Sequence, residues 1–173
     1  MAKNCLNKLS GNILQDCTVA PVGIKAIYLM HTEDVQTIAL NTLRTSVNSI
    51  SFTSTGRSYK VEGYKQNIQF TTSLKTTDAS AKLNTTISFK MPLSGDAMPS
   101  IAMGRFYALV EFNSASYSFV GAMSPLECSG LDFDSNANAG LVTVTLSDPE
   151  GSAGNHYLTC SSGAKDSIIS KSV

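Results

Sequence analysis

Charge is scarce in this chain of 173 residues, because charged side chains make up 15% of it against roughly 25% in a typical soluble domain. The 13 basic and 13 acidic residues also cancel, so the formal net charge is +0. A general nucleic-acid binder needs a basic patch that displaces counterions, and this composition argues against that class. A low-charge surface rich in Ser and Thr instead suits strands and interfaces between protein copies.

Residues that perform acid–base or nucleophilic chemistry are also few. The sequence has two histidines, His31 and His156, and no tryptophan. His156 lies on a predicted strand, where a structural role is the favoured interpretation, and no G-x-S-x-G motif presents a serine nucleophile. We therefore predict that the protein is not an enzyme and has no catalytic residues, no cofactor-binding residues and no cofactor.

Four cysteines, Cys5, Cys17, Cys128 and Cys160, are scattered without a CxxC pair. Zinc sites use tighter paired spacing, so we predict no metal ligands and favour free thiols packed as small hydrophobic side chains. No apolar stretch follows the start of the chain, and none reaches the length of a membrane span. These absences predict synthesis in a cytoplasm and no membrane partner.

Apolar and polar residues alternate between positions 47 and 91. Ile68, Phe70 and Leu74 share one parity, and the apolar residues of 83–91 do the same. Successive side chains of a strand point to opposite faces, so this pattern predicts an antiparallel sheet with one dry and one wet face. The turn signals predict a meander of hairpins, with strands at residues 47–53, 58–63, 67–75 and 82–92.

Further strands are predicted on both sides of this run. Residues 24–30 form a nearly continuous apolar run typical of a buried strand, and residues 106–112 are apolar on both parities apart from Glu111, as in a central strand. Residues 35–43 leave strand and helix open. The other predicted elements are strands at 117–121, 141–146 and 156–160 and a long loop at 122–140.

One helix is predicted, at residues 94–104. Ser94 or Asp96 would cap its first turn, and Pro99 fits that turn because its missing N–H costs little there. Gly104 would end the helix in the left-handed conformation.

These elements predict a mainly β protein, an antiparallel β-sandwich or half-barrel with one short flanking helix. The length fits a single domain over residues 1–173. An irregular N-terminal arm is predicted at 1–23 and a polar C-terminal tail at 162–173, in which Ile168 and Ile169 offer an anchor.

Two further features have competing interpretations. Oxygen-bearing side chains occupy alternate positions in residues 132–140, a spacing that can wrap a hard cation such as calcium. Ala137 stands where an EF-hand-like loop has glycine, and Asp and Asn also stabilise ordinary turns, so a plain loop is favoured and cation binding stays open. Arg105 either forms an ion pair with a neighbouring subunit or lies at an edge, and the second is favoured.

The order of elements over residues 104–151 supports a comparison with a known family. A short helix leads through Gly104 and Arg105 into the strand at 106–111, a hairpin into 117–121, an acidic loop ending at Gly140 and a strand at 141–146. Together with the strand and acidic turn at 24–35, this order resembles virion structural proteins of tailed phages that infect Bacteroidota, the crAss-like phages included, within the tail-tube-like family.

The resemblance implies a tail-tube-like fold whose copies assemble into rings, here expected to be hexameric. In that family each subunit lends strands to an inner β-barrel, and stacked rings form a conduit through which DNA passes without specific binding. Residues 67–74 and 82–91 match the barrel hairpin, with its tip at 76–81. Other virion proteins would be the remaining partners, and the location would be the virion after synthesis in the host cytoplasm.

The predicted function is therefore that of a non-enzymatic virion protein, a ring subunit of the tail tube or of a tail-tube-like ring. Two alternatives remain at this point. One is a capsid decoration or head-fibre base protein. The other is a calcium-dependent carbohydrate-binding β-sandwich that uses the 132–140 loop.

Overall fold

The computed structural model describes residues 23–62, 67–77, 80–93, 95–136, 140–149 and 157–173, and this part of the chain contains eleven strands and two α-helices. A single 3₁₀ turn, Thr32–Asp34, follows the first strand. The elements in chain order are β1 (Ile24–His31), β2 (Val35–Leu40), β3 (Ser46–Phe52), β4 (Tyr59–Glu62), β5 (Gln69–Thr77), β6 (Ser80–Pro92), α1 (Ala97–Met103), β7 (Arg105–Phe112), β8 (Tyr117–Val120), β9 (Leu126–Phe133), β10 (Leu141–Ser147), β11 (Tyr157–Cys160) and α2 (Ser162–Ser170).

The eleven strands belong to one hydrogen-bonded sheet that does not close on itself. Its order is β2-β3-β11-β8-β7-β9-β10-β6-β5, with β1 on the other side of β7 and β4 beyond β1. The pair β3–β11 is parallel, and the other pairs are antiparallel. The predicted mainly β class is confirmed, and the parallel pair makes the sheet mixed.

Strand β7 is the point at which the sheet changes layer. Along one edge it pairs with β1, from Phe106 to Phe112. Along the other edge it pairs with β8 over 108–111 and with β9 only at Arg105 and Phe106. The strands β9, β10, β6 and β5 thus continue from one end of β7 as a smaller layer.

The main hydrophobic core lies between the two layers. It joins Ile27 of β1 and Val110 of β7 to Phe89 of β6 and Val144 of β10, all of them buried. The face-to-face contact of these strands is the sandwich arrangement that the alternating pattern predicted.

A second hydrophobic cluster covers the opposite face of β1, β7 and β8. Tyr28, Leu109 and Phe119 contribute from these strands, and Val47 of β3 and Ile168 of α2 pack against them. Both faces of β1 and β7 are therefore covered, which explains why their sequences are mostly apolar on both parities.

Helix α2 corrects the prediction of a polar tail at 162–173. Ser161 has an extended backbone, and its Oγ accepts a hydrogen bond from the Ala164 N–H at 3.2 Å, which is the geometry of an N-cap. The Ser161 hydroxyl also donates to the Asn48 carbonyl at 2.7 Å. Ala164 and Ile168 are buried at a spacing of four residues, so one helix face packs on the sheet.

Helix α1 lies within the predicted 94–104 segment, but its ends differ from the prediction. Asp96 has a helical backbone and its side chain makes no cap bond, while Ser94 lies outside the described residues. Gly104 is extended, with φ −84° and ψ 158°, and is not left-handed. Glycine is needed there because a Cβ would lie 2.6 Å from the Ser100 carbonyl oxygen and from the Phe106 ring.

The predicted meander over residues 47–92 is wrong in its pairing, although all four strands exist. Strand β3 pairs with β2 and β11, and β4 pairs with β1. Only β5 and β6 form the expected hairpin. Turn signals mark where a strand ends and do not determine which strand lies beside it.

The predicted long loop at 122–140 is also wrong, because Leu126–Phe133 forms β9. The pairing of β9 with β10 shifts register between Thr145 and Leu146, so the alternation is interrupted. Leu126 alone in this strand is fully buried. A half-exposed strand with a bulge has little hydrophobic periodicity to detect.

Candidate functional site

The β5–β6 hairpin extends beyond the layer to which it belongs. Strand β10 pairs with β6 from Thr86 to Pro92, and the Asp148 N–H donates to the Thr85 carbonyl at 3.1 Å. From there to the turn, residues 80–85 of β6 pair with residues 72–77 of β5 only, among the strands that the structure describes. We call these two segments the hairpin arm.

The arm has an apolar pair on the face that continues from the core. Leu74 lies opposite Leu83 in the register, and Thr72 lies opposite Thr85 with 3.4 Å between their hydroxyl oxygens. The side chain of Leu74 is 62% exposed. The arm therefore presents an exposed apolar side chain and an outer edge of β5 that no described strand covers. Two strands paired only with each other are marginally stable in water, so cover from another chain would stabilise the arm.

The other face of the smaller layer is rich in hydroxyl groups. Register and alternation place the following residues together on it: Thr71, Ser73, Thr86, Ser88, Thr143, Thr145 and Ser147. The Ser129 hydroxyl donates to the Thr145 carbonyl at 3.3 Å along this face. The layer therefore has the dry and wet faces that the sequence predicted.

A carboxylate is buried at one end of the opposite layer. Glu111 accepts hydrogen bonds from Lys25 Nζ at 2.7 Å, from the Tyr117 hydroxyl at 3.2 Å and from the Tyr28 hydroxyl at 3.3 Å. Its side chain is 7% exposed, whereas that of Lys25 is 62% exposed. Lys165 of α2 lies over the Tyr117 ring, 5.1 Å from the centroid, and links this cluster to the second helix.

The protonation equilibria of this cluster follow from its contacts. Burial, the largest influence, by itself raises the pKa of Glu111, but the hydrogen bond and charge of Lys25 and the two tyrosine hydroxyls outweigh it. The pKa of Glu111 consequently lies below its ordinary value. Burial and the neighbouring carboxylate raise the pKa of both Tyr28 and Tyr117.

A cavity of about 440 Å³ opens between the layers beneath α1. Its walls come from β1, β4, β6, β7 and α1, and the large apolar side chains that line it are Leu29, Val61, Phe89, Met91, Ile101 and Phe106. His31 also lines it, with its ring 4.5 Å from the Phe106 ring and 6.2 Å from the Tyr59 ring, measured between centroids.

The structure separates the candidate residues of the sequence. His31 lies in this cavity, whereas His156, Cys5 and Cys17 lie outside the described residues. Cys128 and Cys160 are free thiols. Burial raises the pKa of Cys160 to about 11, so this thiol stays protonated at neutral pH and is a poor nucleophile.

The 132–140 segment is described only in part, because residues 137–139 lie outside the described residues. Asp132 belongs to β9, and the Asp134 carboxylate accepts a hydrogen bond from the Asn136 N–H at 2.8 Å, as in an ordinary Asx turn. Within the described ranges, no three His, Cys, Asp or Glu residues lie close enough to hold a metal ion.

Arg105 forms an ion pair within its own chain, with 2.8 Å between its Nε and the Glu127 carboxylate. Both side chains are substantially exposed, at 58% and 40%. The pair lies where β7 and β9 meet inside the sheet, so Arg105 has a partner in its own chain, which neither sequence interpretation predicted.

Sequence patterns missed the Glu111 cluster and the cavity. The only signal for the cluster was a single acidic residue in the apolar run 106–112, and nothing in the sequence indicated that Lys25 and Tyr28 are brought to it by the β1–β7 register. The cavity is a property of how α1 sits on the layers, which has no signature in the sequence.

Comparisons with known proteins give no relative from which a function could be transferred: no family model, no curated protein and no solved structure matches this chain. No helix among the described residues is long and apolar enough to cross a membrane.

Proposed function

We propose that this protein is a self-assembling, non-enzymatic subunit of a tailed-phage virion, forming rings of the tail tube or of a tail-tube-like conduit. The observation that supports this most is the hairpin arm, in which Leu74 and the outer edge of β5 lack cover within the described chain. An uncovered strand edge that also carries an exposed apolar side chain can pair with a strand of another chain.

The chemistry of the smaller layer favours a second copy of this chain as the partner. Its wet face is rich in hydroxyl side chains and also carries Lys82 and Lys90 by the same register, which suits a wall that borders solvent. The balanced charge removes the electrostatic repulsion that would oppose the association of identical subunits. In a ring, the arm of one copy would be covered by the next, and the hydroxyl face would line the conduit.

The resemblance of the sequence to tail-tube-like virion proteins adds to this proposal. It makes the same hairpin, residues 67–74 and 82–91, the natural candidate for the strands that build the inner barrel of a ring. DNA would pass through the lumen, and other virion proteins would contact the ends of the assembled tube. A capsid-surface role remains the second candidate, because an arm that binds its neighbour is equally suited to a trimer.

The arm offers a matched pair of variants that tests this proposal. We expect Leu74→Asp to raise the dissociation constant for self-association at least about tenfold, because it places a charge in an apolar contact. Light scattering across a dilution series and negative-stain microscopy measure the effect. The folded monomer should be unchanged, since Leu74 is already 62% exposed.

The control is Ser73→Asp, which adds the same charge one position away on the hydroxyl face. We expect it to associate as the unmodified protein does. If Leu74→Asp assembles normally, or if Ser73→Asp impairs assembly equally, the arm is not the interface.

A further inference from the structure

The cavity beneath α1 is partly open to solvent, with the exposed residues Asp96 and Ser100 among those that line it. This cavity measures about 440 Å³, which falls in the range of roughly 300–1,000 Å³ that small-molecule sites occupy. Its size and its opening to solvent give it the form of a preformed cleft that a small molecule can enter.

Rigid elements hold the cavity open. Strands β1, β4, β6 and β7 supply three sides through backbone-paired residues, and α1 forms the remaining side. The cavity therefore does not depend on the conformation of one flexible side chain.

The side chains that line the cavity indicate which chemical class of ligand it can bind. Most of the wall is aliphatic or aromatic, and water gains few hydrogen bonds there. The polar groups among the described lining residues are His31, Tyr59, Asp96 and Ser100. The described lining contains one carboxylate and neither lysine nor arginine, so the Asp96 carboxylate favours a hydrogen-bond donor over an anion.

We propose that this cavity binds a compact, uncharged, mostly apolar molecule that carries one hydroxyl or amine donor. The apolar body lies among Leu29, Phe89 and Ile101, and its donor faces the polar side formed by Asp96 and Ser100. Binding stabilises the contact between α1 and the strands, because a ligand that binds only the folded state raises its stability. This binding is independent of ring assembly.

Two fluorescent probes with the same ring skeleton test the ligand class. N-phenylnaphthylamine is uncharged and has one N–H donor, whereas anilinonaphthalene sulfonate adds a negative charge. We expect the uncharged probe to bind saturably, with a gain in fluorescence, and the sulfonate to bind at least about tenfold more weakly. Equal affinity for both probes, or no saturable binding of the uncharged one, would overturn the proposal.

Two substitutions on different walls test the location. Ala97→Phe from α1 and Val61→Phe from β4 each fill part of the cavity, and each should weaken binding of the uncharged probe at least about tenfold. The control is Ala102→Phe, the same change at an exposed position of the same helix, which should bind as the unmodified protein does.

Thermal unfolding identifies which of the two cavity variants folds. If either folded variant binds the probe normally, the proposal is wrong. If probe binding disappears as the unmodified protein associates, side chains of a neighbouring copy fill the cavity. That result would also overturn the proposal that the cavity binds a small molecule.

Discussion

Replacing Phe119 by alanine is expected to lower the free energy of unfolding by about 3–5 kcal/mol. Phe119 is fully buried in β8, on the face that packs against α2. It lies opposite Leu109 of β7 and Leu158 of β11, and its ring centroid is 6.1 Å from that of Tyr107. Truncation removes its contacts and leaves a cavity between this face of the sheet and α2, which the densely packed neighbours fill only in part. Urea unfolding followed by circular dichroism measures the change.

The matched control is Phe133→Ala in β9. Phe133 has the same side chain but is 46% exposed, so its truncation should change the stability by less than about 1 kcal/mol. Equal losses for the two variants would mean that the second hydrophobic cluster does not form as described.

The second large effect is expected at Glu111. Replacing Glu111 by glutamine preserves the size of the side chain but removes the charge that Lys25, Tyr28 and Tyr117 surround. Hydrogen bonds to a buried charged group are stronger than those to a neutral one, so we expect a loss of about 2 kcal/mol at neutral pH. Urea unfolding at a series of pH values measures it.

The pH dependence of the free energy of unfolding distinguishes the loss of the Glu111 charge from a loss of packing. The folded state holds the pKa of Glu111 below its ordinary value of 4.5, so its stabilisation is complete above that value and is lost as the pH falls through the lowered pKa. The difference between the unmodified protein and Glu111→Gln should therefore shrink below pH 4.5. A difference that stays constant across this range would contradict the account.

Glu62→Gln provides the control for charge. Glu62 also has a lysine partner, Lys60, at 2.6 Å, but its side chain is 74% exposed. We expect no measurable change in stability, because solvent screens an exposed ion pair.

The sequence predicted those strands whose environment is uniform along their length. Residues 24–30 and 106–112 are covered on both faces and are therefore apolar apart from Lys25 and Glu111. Residues 82–92 have one buried and one polar face, so their alternation was equally clear. In each case the local pattern reports burial directly.

The elements that were missed lack this local signal. Strand β9 has a register shift and one fully buried residue. Helix α2 has three serines and one glycine among its 9 residues, which weaken the helical signal. Its N-cap at Ser161 with the pair Ala164 and Ile168 was the signal that could have identified it. The pairing of β4 with β1 and of β3 with β11 depends on distant segments, which no local pattern encodes.

Of the candidate sites, the sequence located the hairpin but not its most informative property. The alternation at 67–75 and 82–92 predicted both strands of the arm. Strand β10 pairs with β6 only from Thr86 to Pro92 and leaves residues 80–85 of β6 uncovered on that side. This depends on the length of β10 relative to β6, which the structure shows and the sequence pattern does not.

The central claim, that copies of this chain complete one another, is tested most directly by the mass of the unmodified protein in solution. Sedimentation over a wide concentration range should show the 18.3 kDa chain giving way to a closed assembly, six copies for the proposed ring. Three copies would favour the capsid-surface alternative. A mass of 18.3 kDa at every concentration, with the arm accessible to proteases throughout, would contradict the claim.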